Sequence, residues 1–112
     1  ISSVAGLYGT PMLGAYAISK AADSQITRNI SVEYGSSNIR ANCISPGLIK
    51  TDFAKALWEN ETILKAATSH SALKRIGMPD EIAGAAVFLS SDAGAFITGQ
   101  NIVINGGDAP GI

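Results

Sequence analysis

Apolar residues recur at four-residue spacing in Ile18, Ala22, Ile26 and Ile30. That period predicts one long helix from about Ala15 to Tyr34, with an apolar stripe that has to be buried against something. Strand-like segments flank it. Residues 1 to 3 read as the end of a strand running into a glycine-rich loop through Gly6, Gly9, Pro11 and Gly14. Gly35 falls just past the helix, where a left-handed stop is expected, and Ser36-Ser37-Asn38 makes the turn. Ile39 to Ile44 is a mostly apolar run, as suits a strand covered on both faces of a parallel sheet. Pro46-Gly47 ends it by removing a backbone donor and turning the chain.

The second half continues the alternation. Residues 51 to 75 read as irregular helix, with Trp58 and the acidic Glu59-Asn60-Glu61. Pro79-Asp80-Glu81 opens a further helix, with proline in the first turn and acids near the positive end of the helix dipole. Its core positions are Ile82, Ala85, Ala86 and Leu89, and it stops near Ser90-Ser91-Asp92. Gln100 to Asn105 is a last short strand before Gly106-Gly107. Strands alternating with helices predict an α/β architecture with parallel strands, in a single unit without repeats or linkers. Ligands in such sheets bind beyond the carboxyl ends of the strands. Ser3 and Pro46-Gly47 both follow strand ends, and Tyr16 and Lys20 open the helix between them, so these residues are expected to meet at one edge.

Composition narrows the function classes. The 112 residues are 46% hydrophobic and 15% charged with a net charge of −1, which is a soluble globular composition. No basic run interleaved with aromatics points to nucleic acid or an anionic membrane as a partner. Cys43 is the only cysteine, which excludes an intramolecular disulfide and disfavours a thiolate metal site; it reads as a buried structural thiol. His70 is the only histidine, in a polar stretch, so no alternative histidine exists for a Ser-His-Asp triad and no metal site is expected. No apolar run approaches the roughly 18 residues of a membrane span, and a cytoplasmic location is expected. The chain starts at Ile1 inside what reads as a strand, which suggests a fragment or a chain whose earlier part is missing.

Tyr16 and Lys20 carry the chemistry. Four helical residues rise about 6 Å, so phenol and ammonium project from one face. A cation beside a phenol favours the phenolate, and such a phenol can pass a proton to or from a substrate oxygen. Ser3, thirteen residues upstream of Tyr16, can hold the same oxygen by a hydrogen bond. The plainer reading is an amphipathic helix with a packed Tyr, a solvated Lys and a strand-end Ser. Thr51 serves equally as a helix N-cap or as a ligand contact, and Trp58 as a pocket wall or a subunit contact. The charges from Glu59 to Lys65 read as a solvated face.

Taken together, Ile1-Ser2-Ser3, Tyr16-x-x-x-Lys20 with Ala21-Ala22, Asn38-Ile39-Arg40-Ala41-Asn42, Ser45-Pro46-Gly47-Leu48-Ile49-Lys50-Thr51, Arg75-Ile76-Gly77-Met78-Pro79-Asp80-Glu81-Ile82-Ala83 and Phe96-Ile97-Thr98-Gly99-Gln100 leading to Asn105-Gly106-Gly107 resemble the short-chain dehydrogenase/reductase family. The likeness covers essentially the whole chain, as the C-terminal half of a doubly wound parallel-sheet Rossmann fold. Leu48-Ile49-Lys50-Thr51 followed by Leu57-Trp58 resembles its carbonyl/retinal reductase branch.

The resemblance implies an oxidoreductase that exchanges a hydride between NAD or NADP and a small carbonyl or alcohol. Tyr16 is then the general acid or base. Lys20 favours the phenolate and binds the nicotinamide ribose hydroxyls. Ser3 orients the substrate oxygen, with Ser2 as the rival that fits the thirteen-residue gap less well. Pro46 and Gly47 pack beside the nicotinamide, the Ile49 backbone and the Thr51 hydroxyl hold its carboxamide, and residues from Asp52 to about Ser71 form a substrate lid with Trp58 as a wall. A homotetramer is implied, with the small residues Ala15, Ala17, Ala21 and Ala22 letting the long helix pack closely on a symmetry mate. The family's glycine-rich phosphate loop and its NAD/NADP selector do not occur in this sequence, so the isolated chain is expected to be inactive. The alternative is a remnant or partner subunit of the same fold without catalysis.

Overall fold

The computed structural model describes residues 1 to 108. A 3-10 turn at Val4–Gly6 leads to helix α1 (Gly14–Tyr34), a 3-10 turn at Gly35–Ser37 and strand β1 (Cys43–Pro46). A 3-10 segment (Asp52–Leu57), helix α2 (Glu61–Ala67), helix α3 (Pro79–Ser90), a 3-10 turn (Asp92–Gly94) and strand β2 (Asn101–Ile104) follow. β1 and β2 pair in parallel, from Cys43 opposite Asn101 to Pro46 opposite Ile104. Parallel neighbours need a long crossover, and residues 47 to 100 supply it. On the other edge of β1 the Ser2 N–H donates to the Ile44 carbonyl at 2.7 Å, so the chain start lies alongside β1 through a single bond. The α/β architecture with parallel strands is therefore present.

The elements depart from expectation in four places. Strand β1 begins at Cys43, because residues 39 to 42 are held by other bonds: Arg40 Nη1 and Asn42 Nδ2 both donate to the Ile97 carbonyl, at 3.1 and 2.8 Å. Pairing also runs one residue past Pro46, since the Gly47 N–H donates to the Ile104 carbonyl at 2.9 Å. Gly35 is right-handed (φ −59°), and the left-handed residue is Asn38 (φ 60°) at the end of the added 3-10 turn. Asparagine tolerates that conformation, so the turn can extend beyond the glycine before the chain reverses.

The fourth departure concerns α1. Three of the four residues of its predicted stripe face outward, with Ile18 72% and Ile26 55% exposed and Ala22 exposed, and only Ile30 is half-buried. The packed face carries Ala17, Ser24, Thr27 and Ser31 instead. Ser24 is buried, and its hydroxyl oxygen accepts from Asn101 Nδ2 at 2.8 Å and lies 4.0 Å from the buried Cys43 Sγ. Asn101 Oδ1 in turn accepts from the Ser45 hydroxyl at 2.7 Å. A small, satisfied polar network thus joins α1 to both strands, in place of the interdigitated aliphatics that a period count looks for. Helix α3 follows its pattern: Ile82, Ala85 and Ala86 are half-buried and Leu89 is buried. Its start is fixed by Pro79 and by Glu81, whose carboxylate accepts from the Met78 N–H at 2.8 Å.

Candidate active site

Close backbone approach sets the site. A Cβ on Gly6 would stand 2.6 Å from the Lys20 carbonyl carbon, so only glycine lets the turn after Ser3 lie against α1. Ser2 is buried, and its hydroxyl donates to the Lys20 carbonyl at 2.7 Å. Ser3 is extended (φ −161°, ψ 153°), and its hydroxyl oxygen accepts only a long bond, 3.2 Å, from the Ala5 N–H. Both serines border a cleft, but only the Ser2 hydroxyl is committed to the helix, leaving that of Ser3 the freer of the two.

That cleft has a volume of about 520 Å³. Ser3, Tyr16, Pro46, Gly47, Ile49 and Thr51 all line it. Lys20 adjoins it: its ammonium lies 5.8 Å from the Tyr16 ring centroid and donates to the Ile1 carbonyl at 3.3 Å. It also pairs with the Asp23 carboxylate at 3.2 Å. The one-face geometry expected of residues 16 and 20 is realised.

The floor depends on Gly47, where a Cβ would sit 2.7 Å from the Asn105 Cβ, so glycine lets the ends of β1 and β2 close up. Beyond it Ile49 forms an isolated parallel bridge with Gly77. The bonds of that bridge are made by Gly77 N–H to the Leu48 carbonyl and Lys50 N–H to the Gly77 carbonyl, at 3.0 and 2.9 Å. Bridge geometry thus turns the N–H and C=O of Ile49 itself off the ladder, where the C=O takes only a long contact from the Thr51 hydroxyl. Thr51 occupies the N-cap position of the 3-10 segment, yet its hydroxyl makes no capping bond and reaches only the Ile49 carbonyl at 3.5 Å.

Trp58 is not among the residues lining the cleft. Its indole N–H donates to the Thr51 carbonyl at 2.8 Å and the Lys50 ammonium lies 5.0 Å from its ring centroid, so it clasps the base of the segment. The wall is built from Phe53, Ala54, Ala56 and Leu57. Phe53 stacks on Tyr16 with centroids 6.0 Å apart and planes 29° apart, although the ring is 86% exposed. Sequence reasoning missed Phe53, Asp23 and Tyr8. Asp23 was accessible from its i,i+3 spacing to Lys20, whereas Phe53 and Tyr8 sit in irregular segments that carry no period. Tyr8 lines the cleft with Asp108, and burial, aided by the Asp108 charge, pushes its phenol up from the ordinary value.

Comparison with known proteins identifies the family. A family model described as enoyl-(acyl carrier protein) reductase matches residues 1–108. Dehydrogenase/reductase SDR family member 4 of Bos taurus is 41% identical over 107 residues, covering 96% of this chain and 38% of the relative. The chain belongs to the short-chain dehydrogenase/reductase family. A second family member, the 3-oxoacyl-[acyl-carrier-protein] reductase FabG of Chlamydia trachomatis, is 46% identical over 109 residues, covering 97% of this chain and 43% of that protein. The chain thus spans about two-fifths of the length of these relatives. Among solved structures of the family, 4-hydroxyisoleucine dehydrogenase complexed with NADH superposes with a TM-score of 0.94 at 38% identity, over 99% of this chain and 46% of that one. A 7α-hydroxysteroid dehydrogenase complexed with NADH and 7-oxo glycochenodeoxycholic acid gives 0.90 at 38% identity, over 97% and 42%. The short-chain dehydrogenase/reductase chain therefore has the fold of part of a doubly wound, parallel-sheet Rossmann enzyme. No helix among the described residues is long and apolar enough to cross a membrane.

Proposed function

We propose that this chain is the C-terminal, catalytic half of an NAD- or NADP-dependent oxidoreductase acting on a small carbonyl/secondary-alcohol pair. The convergence of Ser3 and Tyr16 on one cleft, with the Lys20 ammonium 5.8 Å from the Tyr16 ring, carries this reading. A bound nicotinamide would supply the hydride for the carbonyl carbon. Tyr16 donates its phenolic proton to the carbonyl oxygen in reduction and takes one from the alcohol in oxidation, a contribution of roughly 10²- to 10⁴-fold. Ser3, whose hydroxyl holds only a long backbone bond, orients that oxygen. Lys20, now paired with Asp23, would exchange part of that contact for the ribose hydroxyls. The Ile49 N–H and C=O, turned off the ladder, and the Thr51 hydroxyl, which holds only a long bond, would hold the carboxamide, and Pro46-Gly47 would pack beside the nicotinamide.

The small buried core supports the half-domain reading. Among the described residues Ala5, Cys43, Ile44 and Leu89 are the buried apolar ones, while Ile18, Ile26, Val87 and Phe96 stand exposed, as they would where further sheet, helices or a symmetry mate cover them. A homotetramer and a cytosolic compartment belong to the same proposal; native mass measurement and cell fractionation read them directly. One relative is named for a 3-oxoacyl-[acyl-carrier-protein] substrate; the proposal takes a free carbonyl compound instead. Tests use the natural protein that carries this chain, screened with NADH and NADPH against ketones and aldehydes. Tyr16→Phe lowers turnover 10²- to 10⁴-fold while nucleotide binding stays within a few-fold. Turnover within threefold of wild type, or absence of nucleotide binding and turnover in the wild type, defeats the reading in favour of a non-catalytic subunit.

A further inference from the structure

Residues 51 to 58 form a loop closed on itself. The Thr51 carbonyl accepts two bonds, from the Ala54 N–H at 3.1 Å and from the Trp58 indole N–H at 2.8 Å. The second spans seven residues and ties the end of the loop back to its start. The Lys50 ammonium lies 5.0 Å from the indole centroid, so the residue before Thr51 holds the same ring. Trp58 does not line the cleft, whereas Thr51, Phe53, Ala54, Ala56 and Leu57 of its loop do. The Thr51 hydroxyl has little of its own to fix it: it caps nothing and reaches only the Ile49 carbonyl at 3.5 Å. Its place is therefore set by the Thr51 backbone, and the indole holds that backbone. The clasp stands at the surface, where such contacts add little to global stability. Its consequence is positional.

We propose that Trp58 is a positioning residue for the nucleotide. By clasping the Thr51 carbonyl it keeps the Thr51 hydroxyl where that group meets a nicotinamide carboxamide, although the indole itself touches no ligand. This inference rests on the reading of Thr51 given above, so the experiment separates the two.

The natural protein is given its preferred oxidised nucleotide, NAD or NADP, and the 3-acetylpyridine analogue, in which a methyl group replaces the carboxamide NH2. Calorimetry gives the affinity for each. Wild type should favour the carboxamide nucleotide, and Thr51→Val should cut that preference by up to about tenfold, the size of one neutral hydrogen bond. Trp58→Phe, which keeps a ring beside Lys50 but has no N–H, should cut it several-fold while Tm stays within a few degrees. The double variant should fall no further than Thr51→Val alone, because the indole acts only through that residue. Equal weakening of both nucleotides in Trp58→Phe, an unchanged preference, or additive losses in the double variant overturns the clasp. Should Trp58→Phe fail to fold, Lys50→Met decides in its place: a preference lowered about twofold supports the clasp, and an unchanged one overturns it. Wild type that turns over ketones but shows no preference for the carboxamide overturns the clasp and leaves catalysis standing. Wild type that binds nucleotide but reduces no ketone counts against catalysis, and the preference ratios still decide the clasp. Wild type that binds no nucleotide overturns both.

Discussion

Two regions of this chain hold their shape by different means. The scaffold, made of residues 1 to 6, α1 and the two strands, is tied through buried contacts: Ser2 to the Lys20 carbonyl, and Ser24 to Asn101 to Ser45. The arm from Thr51 to Ala67 is tied at its exposed surface, by Trp58 to the Thr51 carbonyl and Lys55 with Glu59 at 3.8 Å. Beyond it the chain is anchored again, where the buried Ser71 donates its hydroxyl to the Gly106 carbonyl at 2.9 Å and Arg75 pairs with Glu81 at 2.6 Å. Hydrogen bonds shielded from water are strong and costly to break, while exposed pairs are screened and contribute little. The scaffold therefore fixes where Ser3, Tyr16 and Lys20 stand. The arm decides what lies over Tyr16, and can change without unfolding the protein.

Substitutions in the natural protein break or sharpen that contrast. The largest effect on folding is expected from Gly6→Ala, whose new methyl meets the α1 backbone at 2.6 Å. A loss of roughly 1–3 kcal/mol in denaturant unfolding is expected, together with a fall in turnover, because the turn after Ser3 must move off the helix. Ser24→Ala, which strips the Asn101 amide of its acceptor, should cost about 1–3 kcal/mol through the same buried network. Arm substitutions should behave otherwise. Trp58→Phe removes the indole bond to Thr51 while keeping an aromatic ring; KM should rise several-fold with a stability change below about 1 kcal/mol. A large drop in Tm for Trp58→Phe, with unchanged kinetics, would erase the distinction between the regions.

The smallest effect concerns acid. The Arg75 guanidinium, with the Met78 N–H, holds the Glu81 carboxyl at about 2 against an ordinary 4.5. A depressed carboxyl contributes stability that is fully present above about pH 4.5 and is lost as pH falls toward about 2. Glu81→Gln should remove that part of the acid dependence and leave neutral-pH stability little changed, since both side chains are exposed. An identical acid profile in the variant would remove Glu81 from the account.

What the sequence disclosed tracks how local each determinant is. The start of α3 and its four core positions were legible because proline, acids and apolar spacing act within one helix. The shared edge of Ser3, Tyr16 and Pro46-Gly47 was legible because strand ends mark it. The buried face of α1 was not, since Ser24 and Thr27 look polar until Asn101, 77 residues away in sequence from Ser24, supplies the partner. Phe53 over Tyr16 and the Trp58 clasp depend on how an irregular segment closes, which neither period nor propensity encodes.

The most direct test is the structure of the natural protein with oxidised nucleotide and a bound alcohol. The account predicts the alcohol oxygen within about 3 Å of both the Tyr16 hydroxyl and the Ser3 hydroxyl, and the Lys20 ammonium on the ribose. An alcohol bound elsewhere, or a Lys20 still committed to Asp23 with the ribose beyond its reach, would contradict it.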